Sequence, residues 1–491
     1  MKVDGALALE FQKQLGAGKV LTKETEMACY AFDSSFLGQL TEYRPDAVVK
    51  PDSAGEVAAV MRLASRHRIP VTPRGAGTAQ TGGAVPVRGG IVLDLSSLNR
   101  IIEVDTDNLQ VLVEPGIVHA DLNAHLARFG FFFPPDPGSS RMCTLGGMVS
   151  NNSSGMRAVK YGTTRQYVLG LEVVLPGGEI IWTGVKGSKA LKTVSGYDLT
   201  QLMVGSEGTL GIITKIRLKI LPMPEKRGLV LAAFDTLEKS GEAVISVFRN
   251  RLFPSAIEIL DKTAIRAAML YKPDIVLPQA EAALLFEVDG SPADVVYQAE
   301  KIAGVCGPLA GHVEWTDDPV KFGKLWQARQ VVGAAAARVK PGVTRVYDGE
   351  DICVPITKVP QALRRIQEIG ARHGLTIVTY GHIGDGNLHS AVMANLRDPA
   401  EVEHARQATD DIHRLALELG GTTTGEHGVG LTRAKYMEEE HGLALEVMRG
   451  IKKAFDPDNI LNPGKMALET VAMGETASDK TAQDKTAVER E

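Results

Sequence analysis

The sequence predicts an α+β protein made of at least two globular units, and three observations carry that expectation. A chain of 491 residues with 44% hydrophobic composition can bury a large core, and its length points to about three units. Helical and strand signals alternate through the first half until Pro222 and Pro224 interrupt them. Past those prolines a second set of amphipathic helices and apolar strands begins.

Ser53-Ala-Gly-Glu56 reads as a capping box ahead of Val57, Val60, Met61 and Ala64, an apolar face at helical spacing that Pro70 ends. Short strands are expected at 91–95, 101–104 and 111–113. Residues 168–175 run through Pro176-Gly-Gly178 into 180–182 like a hairpin, and 210–221 alternates as a strand. In the second half, helices are expected at 236–248, 293–305 and 358–373, with strands such as 283–288 and 376–380 between them. The expected divisions are an N-terminal segment 1–42, a first unit 43–222, a second unit 223–440, a closing segment 441–467, and a small, polar, charged tail 468–491 that reads as disordered.

A net charge of -5 gives no footprint for nucleic acid or an anionic membrane. The start Met1-Lys-Val-Asp-Gly-Ala lacks the pattern of a signal peptide, and no run reaches the length of a membrane span, so a cytoplasmic location is expected. Cys29, Cys143, Cys306 and Cys353 are widely spaced, which suggests neither a disulfide framework nor a cysteine-bound iron–sulfur cluster. Any electrons the chain handles must therefore leave through a partner.

Glycine-rich loops dominate the first unit. Pro73-Arg-Gly75-Ala-Gly77-Thr78, with Thr81-Gly82-Gly83 behind it, follows a short apolar segment and could turn several N–H donors toward an anion. It matches neither the dinucleotide fingerprint nor the P-loop, and on its own a structural glycine turn is an equal reading. Phe133-Pro-Pro-Asp136, the stretch 144–155 and Gly205-Ser-Glu207-Gly208-Thr-Leu-Gly211 add three more loops of this kind. Four such loops suit a long, folded cofactor lying against backbone.

Near the C-terminus, Tyr380-Gly-His382-Ile-Gly-Asp-Gly-Asn387-Leu-His389 and Gly425-Glu426-His427-Gly428 gather three imidazoles, a carboxylate and an amide. A lone histidine in such a turn reads as a satisfied polar residue. Here the glycine framing of both segments favours a ligand set instead: His382, His389 and Glu426 make an N2O shell for zinc or a similar divalent ion, manganese or iron included, with a position left open for substrate. His427, adjacent to Glu426, would diverge from that ion and face substrate as a base. His404 and His413 read as helix-surface groups, while His119 and His125 read as structural.

The loops 74–78, 144–155 and 205–211, both histidine segments and the closing Asn459-Ile-Leu-Asn462-Pro-Gly464-Lys465 resemble, in one unbroken order over about residues 20–467, the FAD-linked D-2-hydroxy-acid dehydrogenases of the vanillyl-alcohol oxidase superfamily. D-lactate dehydrogenases and the flavin subunit of glycolate oxidase are the nearest types. The resemblance implies an FAD-binding domain of two subdomains, a cap domain with an antiparallel sheet, and a C-terminal segment that returns to the flavin.

Position by position, the resemblance implies that Arg74, Gly75, Ala76, Gly77, Thr78, Thr81, Gly82 and Gly83 hold the FAD diphosphate. Pro135, Asp136, Gly146, Gly147 and Ser150 would line the rest, Gly205, Gly208 and Ile212 the adenine half, and Asn462 the isoalloxazine. Thr78 stands where some relatives carry a histidine that attaches FAD covalently, so noncovalent FAD is expected. The resemblance gives His382, His389 and Glu426 to the metal and Arg329 to the substrate carboxylate, a role a guanidinium can fill bidentately. From the residues alone, Arg329 would read as a solvated helix arginine. Asn387 and Lys465 are further substrate-binding candidates.

Relatives acting on a dicarboxylate carry a hydroxyl residue and a lysine where Gly333 and Gly349 stand, so a D-2-hydroxy monocarboxylic acid such as D-lactate, glycolate or a longer homologue is the expected substrate. Electrons would pass to an electron-transferring flavoprotein, an iron–sulfur subunit, a cytochrome or a quinone, and a homodimer is compatible. The alternatives are an oxygen-using alcohol oxidase of the same fold and a noncatalytic flavin subunit of a larger assembly.

Overall fold

The computed structural model describes residues 3–36, 43–346 and 351–469. Gly349 and the expected tail from residue 470 onward lie outside the described residues.

Two larger sheets and a two-stranded one build the first half among the described residues. Strands Val20–Leu21, Ala47–Val49, Ile91–Asp94 and Val71–Arg74 lie side by side in that order. The last three run parallel, with helix Ala54–His67 crossing between Ala47–Val49 and Val71–Arg74. Val49, Val57, Met61, Ile91 and Leu93 share one core, as expected when helices cover a parallel sheet. Ser53 Oγ accepts the Glu56 N–H at 3.3 Å. The reverse half of the capping box is replaced, because the Glu56 carboxylate takes the Asp52 N–H and an ion pair with Lys19. Arg68, in the left-handed conformation, closes the helix two residues before Pro70.

The second sheet is antiparallel, in the order Ile101–Asp105, Gln110–Val113, Ile212–Lys219, Val168–Val174 and Ile180–Trp182. The expected hairpin is present. The strand expected over 210–221 divides: Ile212–Lys219 joins this sheet, and Leu221–Pro222 pairs with Phe131–Phe132 instead.

From Lys226 onward, an eight-stranded antiparallel sheet forms among the described residues. Its order is His312–Thr316, Lys226–Phe234, Ala282–Gly290, Ala256–Asp261, Thr376–His382, Asn387–Ala394 and Thr344–Val346, with Ile352–Cys353 also on Asn387–Ala394. Helices Leu237–Arg249, Pro292–Cys306, Val359–His373 and Pro399–Glu418 cover one face. Lys262–Tyr271 and Pro319–Ala335 cover the other. His413, expected on a helix surface, is buried: it stacks on Tyr436 at 4.7 Å and its Nδ1 lies 2.9 Å from the Thr409 carbonyl. The face carrying it packs under the 434–436 turn, so an imidazole there is core. His404 is exposed, as expected.

Ion pairs to the buried Glu287 and Asp289 join the halves. Arg157 binds Asp136 beside it and Glu287 on the eight-stranded sheet, with 2.7 Å between its Nη2 and Glu287 Oε2, while Lys160 pairs with Asp289. The chain then returns: Val71 N–H donates to Ile460 O at 2.7 Å and Asn462 N–H to Val71 O at 2.8 Å, so the C-terminal segment docks beside the edge strand of the parallel sheet.

Candidate active site

Three strands of the large sheet place the chemistry. Pairing of Thr376–His382 with Asn387–Ala394 sets Tyr380 opposite His389, and His382 shares the face of Tyr380, so the imidazoles meet on a diagonal. The hairpin needs Gly386, at φ 87°, because a Cβ there would stand 2.0 Å from the Val354 carbonyl. The neighbouring strand Ala256–Asp261 brings Glu258 against His382, with Nδ1 and Oε1 2.6 Å apart.

The 424–427 segment is not part of any helix or strand. Asp351, fully buried, organises it by accepting the N–H groups of Glu426 and His427 at 3.1 and 2.8 Å, Thr424 Oγ1 at 2.6 Å and Asn387 Nδ2 at 2.7 Å. Burial opposes its charge, but His427 and Arg433 outweigh burial and hold the carboxyl below the ordinary range. Ser154, from the first half, donates to Glu426 Oε2 at 3.0 Å.

The result is a triangle. His382 Nε2, His389 Nε2 and Glu426 Oε1 lie 3.4 Å from one another on all three sides. Ligands about 2.0–2.1 Å from a tetrahedral ion are about 3.3–3.4 Å apart, so the three atoms fit a zinc-sized cation with a fourth position open. His382 carries its proton contact on the other ring nitrogen, toward Glu258, which is the carboxylate support that metal-binding imidazoles use. His389 Nδ1 is buried without a hydrogen-bond partner among the described residues. Asp351, His389 and His427 also approach within ligand reach, but Asp351 already accepts several donors.

His427 stacks on His389 at 5.3 Å, its Nε2 3.7 Å from Glu426 Oε1, and its carbonyl accepts Asn151 Nδ2 at 3.1 Å. Burial lowers its imidazole below the ordinary value, against the raising effect of Asp351 and Glu426. A neutral imidazole accepts a proton. Arg329 is buried on helix Pro319–Ala335, donates from Nε to Glu258, and lies over the Tyr380 ring at 4.8 Å. Glu258 thus ties Arg329 to His382.

A cavity of about 1180 Å³ joins this cluster to the glycine loops of the first half, above the roughly 300–1,000 Å³ usual for small-ligand pockets. Of the expected residues, Arg74, Gly75, Ala76, Gly77, Thr78, Gly83, Asp136, Gly146, Gly147, Ser150, Gly208 and Ile212 line it, as do Arg329, His382, His389, Glu426 and His427. No backbone N–H from Gly75 to Thr78 finds an acceptor among the described residues. Donors of that kind fit a diphosphate. Arg74 itself donates to the carbonyls of Phe32 and Cys29, so its charge holds the N-terminal segment, and Asp136 is taken by Arg157.

Thr81, Gly82, Pro135, Gly205, Asn387, Asn462 and Lys465 do not line the cavity. Thr81 offers its carbonyl to the Leu431 N–H, and Gly205 donates its N–H to Val149 O. Asn387 braces Asp351 and the Ile352 carbonyl, and Asn462 donates to the Gly83 and Glu207 carbonyls. Lys465 is buried with Nζ on the Val85 carbonyl, its pKa pulled down to about 8 by burial. The side chains of Asn387, Asn462 and Lys465 thus brace loops. Glu258, Asp351 and Arg157 stand in no motif of the sequence, and Ser154 is marked only as part of the loop 144–155. The available signal was an acid inside the apolar run Ala256-Ile-Glu258-Ile, since a buried charge needs a partner.

The FAD binding domain family matches residues 45–184, and the C-terminal domain family of FAD linked oxidases matches 223–466. Glycolate oxidase subunit GlcD of Bacillus subtilis is 40% identical over 89% of this chain and 93% of its own length. A D-lactate dehydrogenase of Anaerostipes hadrus is 36% identical over 86% and 90%. A probable mitochondrial D-lactate dehydrogenase of Danio rerio is 36% identical over 86% and 84%. Among solved structures, 4-ethylphenol oxidase from Gulosibacter chungangensis superposes with a TM-score of 0.77 at 19% identity, over 94% of this chain and 96% of that one. At that identity the likeness speaks for the fold alone. No helix among the described residues is long and apolar enough to cross a membrane. With this fold, these matches and a cavity running from glycine loops to a histidine cluster, the chain belongs to the FAD-linked oxidoreductase family of D-lactate dehydrogenases and glycolate oxidase GlcD subunits.

Proposed function

We propose that this protein oxidises a D-2-hydroxy acid to the 2-oxo acid, with D-lactate and glycolate as the first compounds to try. The observation that carries the reading is the 3.4 Å triangle of His382, His389 and Glu426, with His427 and Arg329 beside it, at one end of a cavity whose other end is glycine-loop backbone. Residues 43–222 would hold noncovalent FAD, 223–440 the substrate chemistry, and 441–467 would close the cradle.

When bound, FAD supplies a two-electron acceptor and the divalent ion a Lewis acid for the hydroxyl oxygen. The chain does the rest. Arg329, fixed by Glu258 and Tyr380, presents its guanidinium to the substrate carboxylate and orients the α-carbon. His427 Nε2 takes the hydroxyl proton, with its backbone held by Asp351 and Asn151. Electrons would leave through a partner such as an electron-transferring flavoprotein, an iron–sulfur subunit, a cytochrome or a quinone, and the location expected is cytoplasmic. A noncatalytic flavin subunit would have no use for the histidine cluster.

The test is an anaerobic absorbance scan of the metal-replete protein with D- and L-lactate, glycolate and D-2-hydroxyglutarate. Bleaching of the flavin by a D-acid or glycolate is expected. Persistent colour in FAD-loaded protein across the panel would overturn the reading.

A further inference from the structure

The turn that carries His427 is held from two sides. From the second half, Asp351 accepts the His427 N–H at 2.8 Å. Past the imidazole, the glycine loops of the first half take hold. Asn151 Nδ2 donates to the His427 carbonyl at 3.1 Å. Glu207 then accepts two consecutive backbone donors, the Val429 N–H on Oε1 at 2.7 Å and the Gly430 N–H on Oε2 at 2.8 Å.

Glu207 is built for that reach. Its backbone is left-handed, at φ 50°, a strained conformation for a residue with a side chain. Neighbours fix it at both ends: its N–H donates to Ser150 O at 2.9 Å, and its carbonyl accepts Asn462 Nδ2 at 2.7 Å. The carboxylate is buried, which is costly unless donors meet it, and here both oxygens are met. The turn needs glycine at 428, φ 84°, because a Cβ there would stand 2.8 Å from Glu207 Oε1. Glu207 also lines the cavity beside Gly208, so one strained residue belongs both to the loop proposed to meet FAD and to the support of the proposed base.

We propose that Glu207 is a positioning residue for His427. By holding the two N–H groups just past the imidazole, it fixes where His427 Nε2 stands against Glu426 and the substrate end of the cavity. Asn151 is the second hold on the same turn. This rests on the D-2-hydroxy-acid reading above, with His427 as the base. Glu207 meets no reacting atom in this role and acts through the imidazole. A misplacement of about 1 Å can cost on the order of 100-fold in rate, so such bonds govern the proton transfer without governing substrate affinity.

The experiment is a double-mutant cycle on the metal-replete holoenzyme: wild type, Glu207→Gln, His427→Ala and the double variant. Anaerobic flavin reduction by the most reactive 2-hydroxy acid is followed by stopped flow. Glutamine offers a single acceptor oxygen, so one of the two N–H groups would face an amide donor. Glu207→Gln should lower the limiting reduction rate about 10- to 100-fold, with half-saturation within about threefold of wild type and with FAD content and zinc affinity unchanged. In His427→Ala the same substitution should cost less than about twofold, because the group it positions is gone. Asn151→Ala, run through the same cycle, should show this pattern at smaller size and decides the case if Glu207→Gln does not fold. An equal effect with and without His427, an unchanged rate, or a loss confined to bound FAD overturns the proposal and leaves the D-2-hydroxy-acid reading standing. A wild-type flavin that no 2-hydroxy acid reduces overturns that reading and the proposal with it.

Discussion

The two ends of the cavity are built by different means. The FAD end is backbone: Gly75, Gly77, Gly146 and Gly208 admit no Cβ without collision, the first of them meeting Thr144 Oγ1 at 2.2 Å. The opposite end is side chain: His382, His389, Glu426, His427 and Arg329 are brought together from separate elements and held by Glu258 and Asp351. A backbone cradle tolerates change poorly but performs no proton transfer. A side-chain cluster can be disarmed one atom at a time with its fold intact.

The comparison therefore breaks first at His427. His427→Ala should lower the rate of flavin reduction by about 10²- to 10⁴-fold while FAD stays bound, read by stopped-flow absorbance. Bound FAD with normal reduction would remove the histidine from its role. Glu426→Ala should lose reduction and metal together. Next in size, Glu258→Gln should weaken metal binding by about 10- to 100-fold, since the Glu258 carboxylate supports His382, and titration with zinc under competing chelator measures it. Metal affinity equal to wild type would show that the support is dispensable.

The FAD end should carry an acid-sensitive group of its own. His119, lining the cavity, is lowered by burial to about 4. The unfolded chain protonates this imidazole near pH 6.5, before the folded one does, so its contribution is present above that pH and is lost as pH falls toward 4. About 2–3 kcal/mol of stability should disappear across that window, and His119→Asn should flatten the slope in urea melts at pH 4.5 and 7. A variant with the wild-type slope would assign the acid sensitivity elsewhere. Smallest is Gly77→Ala. At φ 70°, with Arg74 Nη2 2.1 Å from a new Cβ, it should cost about 1–2 kcal/mol, seen as roughly tenfold weaker FAD retention with little change in metal content.

The same contrast explains what could be read in advance. Glycine loops announce themselves in a sequence because their function is a local backbone property, so the cavity-lining stretch 74–78 was legible. His382, His389, Glu426 and His427 were legible as short motifs. Residues acting as braces were not distinguished from residues facing the cavity: Asn387, Asn462 and Lys465 carry polar groups that suit a ligand equally well, and only packing aims them at Asp351, Gly83 and Val85. The amphipathic stripe alone puts His413 on a helix surface, because such a stripe does not reveal a second covering layer.

By itself the sequence determined the alternation of elements, the break near Pro222 and the residue types of both ends, because propensity, glycine content and motif spacing are local. Tertiary structure decided which groups meet. The 3.4 Å triangle, the sharing of Glu258 between Arg329 and His382, and the reach of Glu207 to the turn behind His427 all join residues far apart in the chain. Strand register and helix packing fix such distances to a few tenths of an ångström, and no periodicity along the chain encodes them.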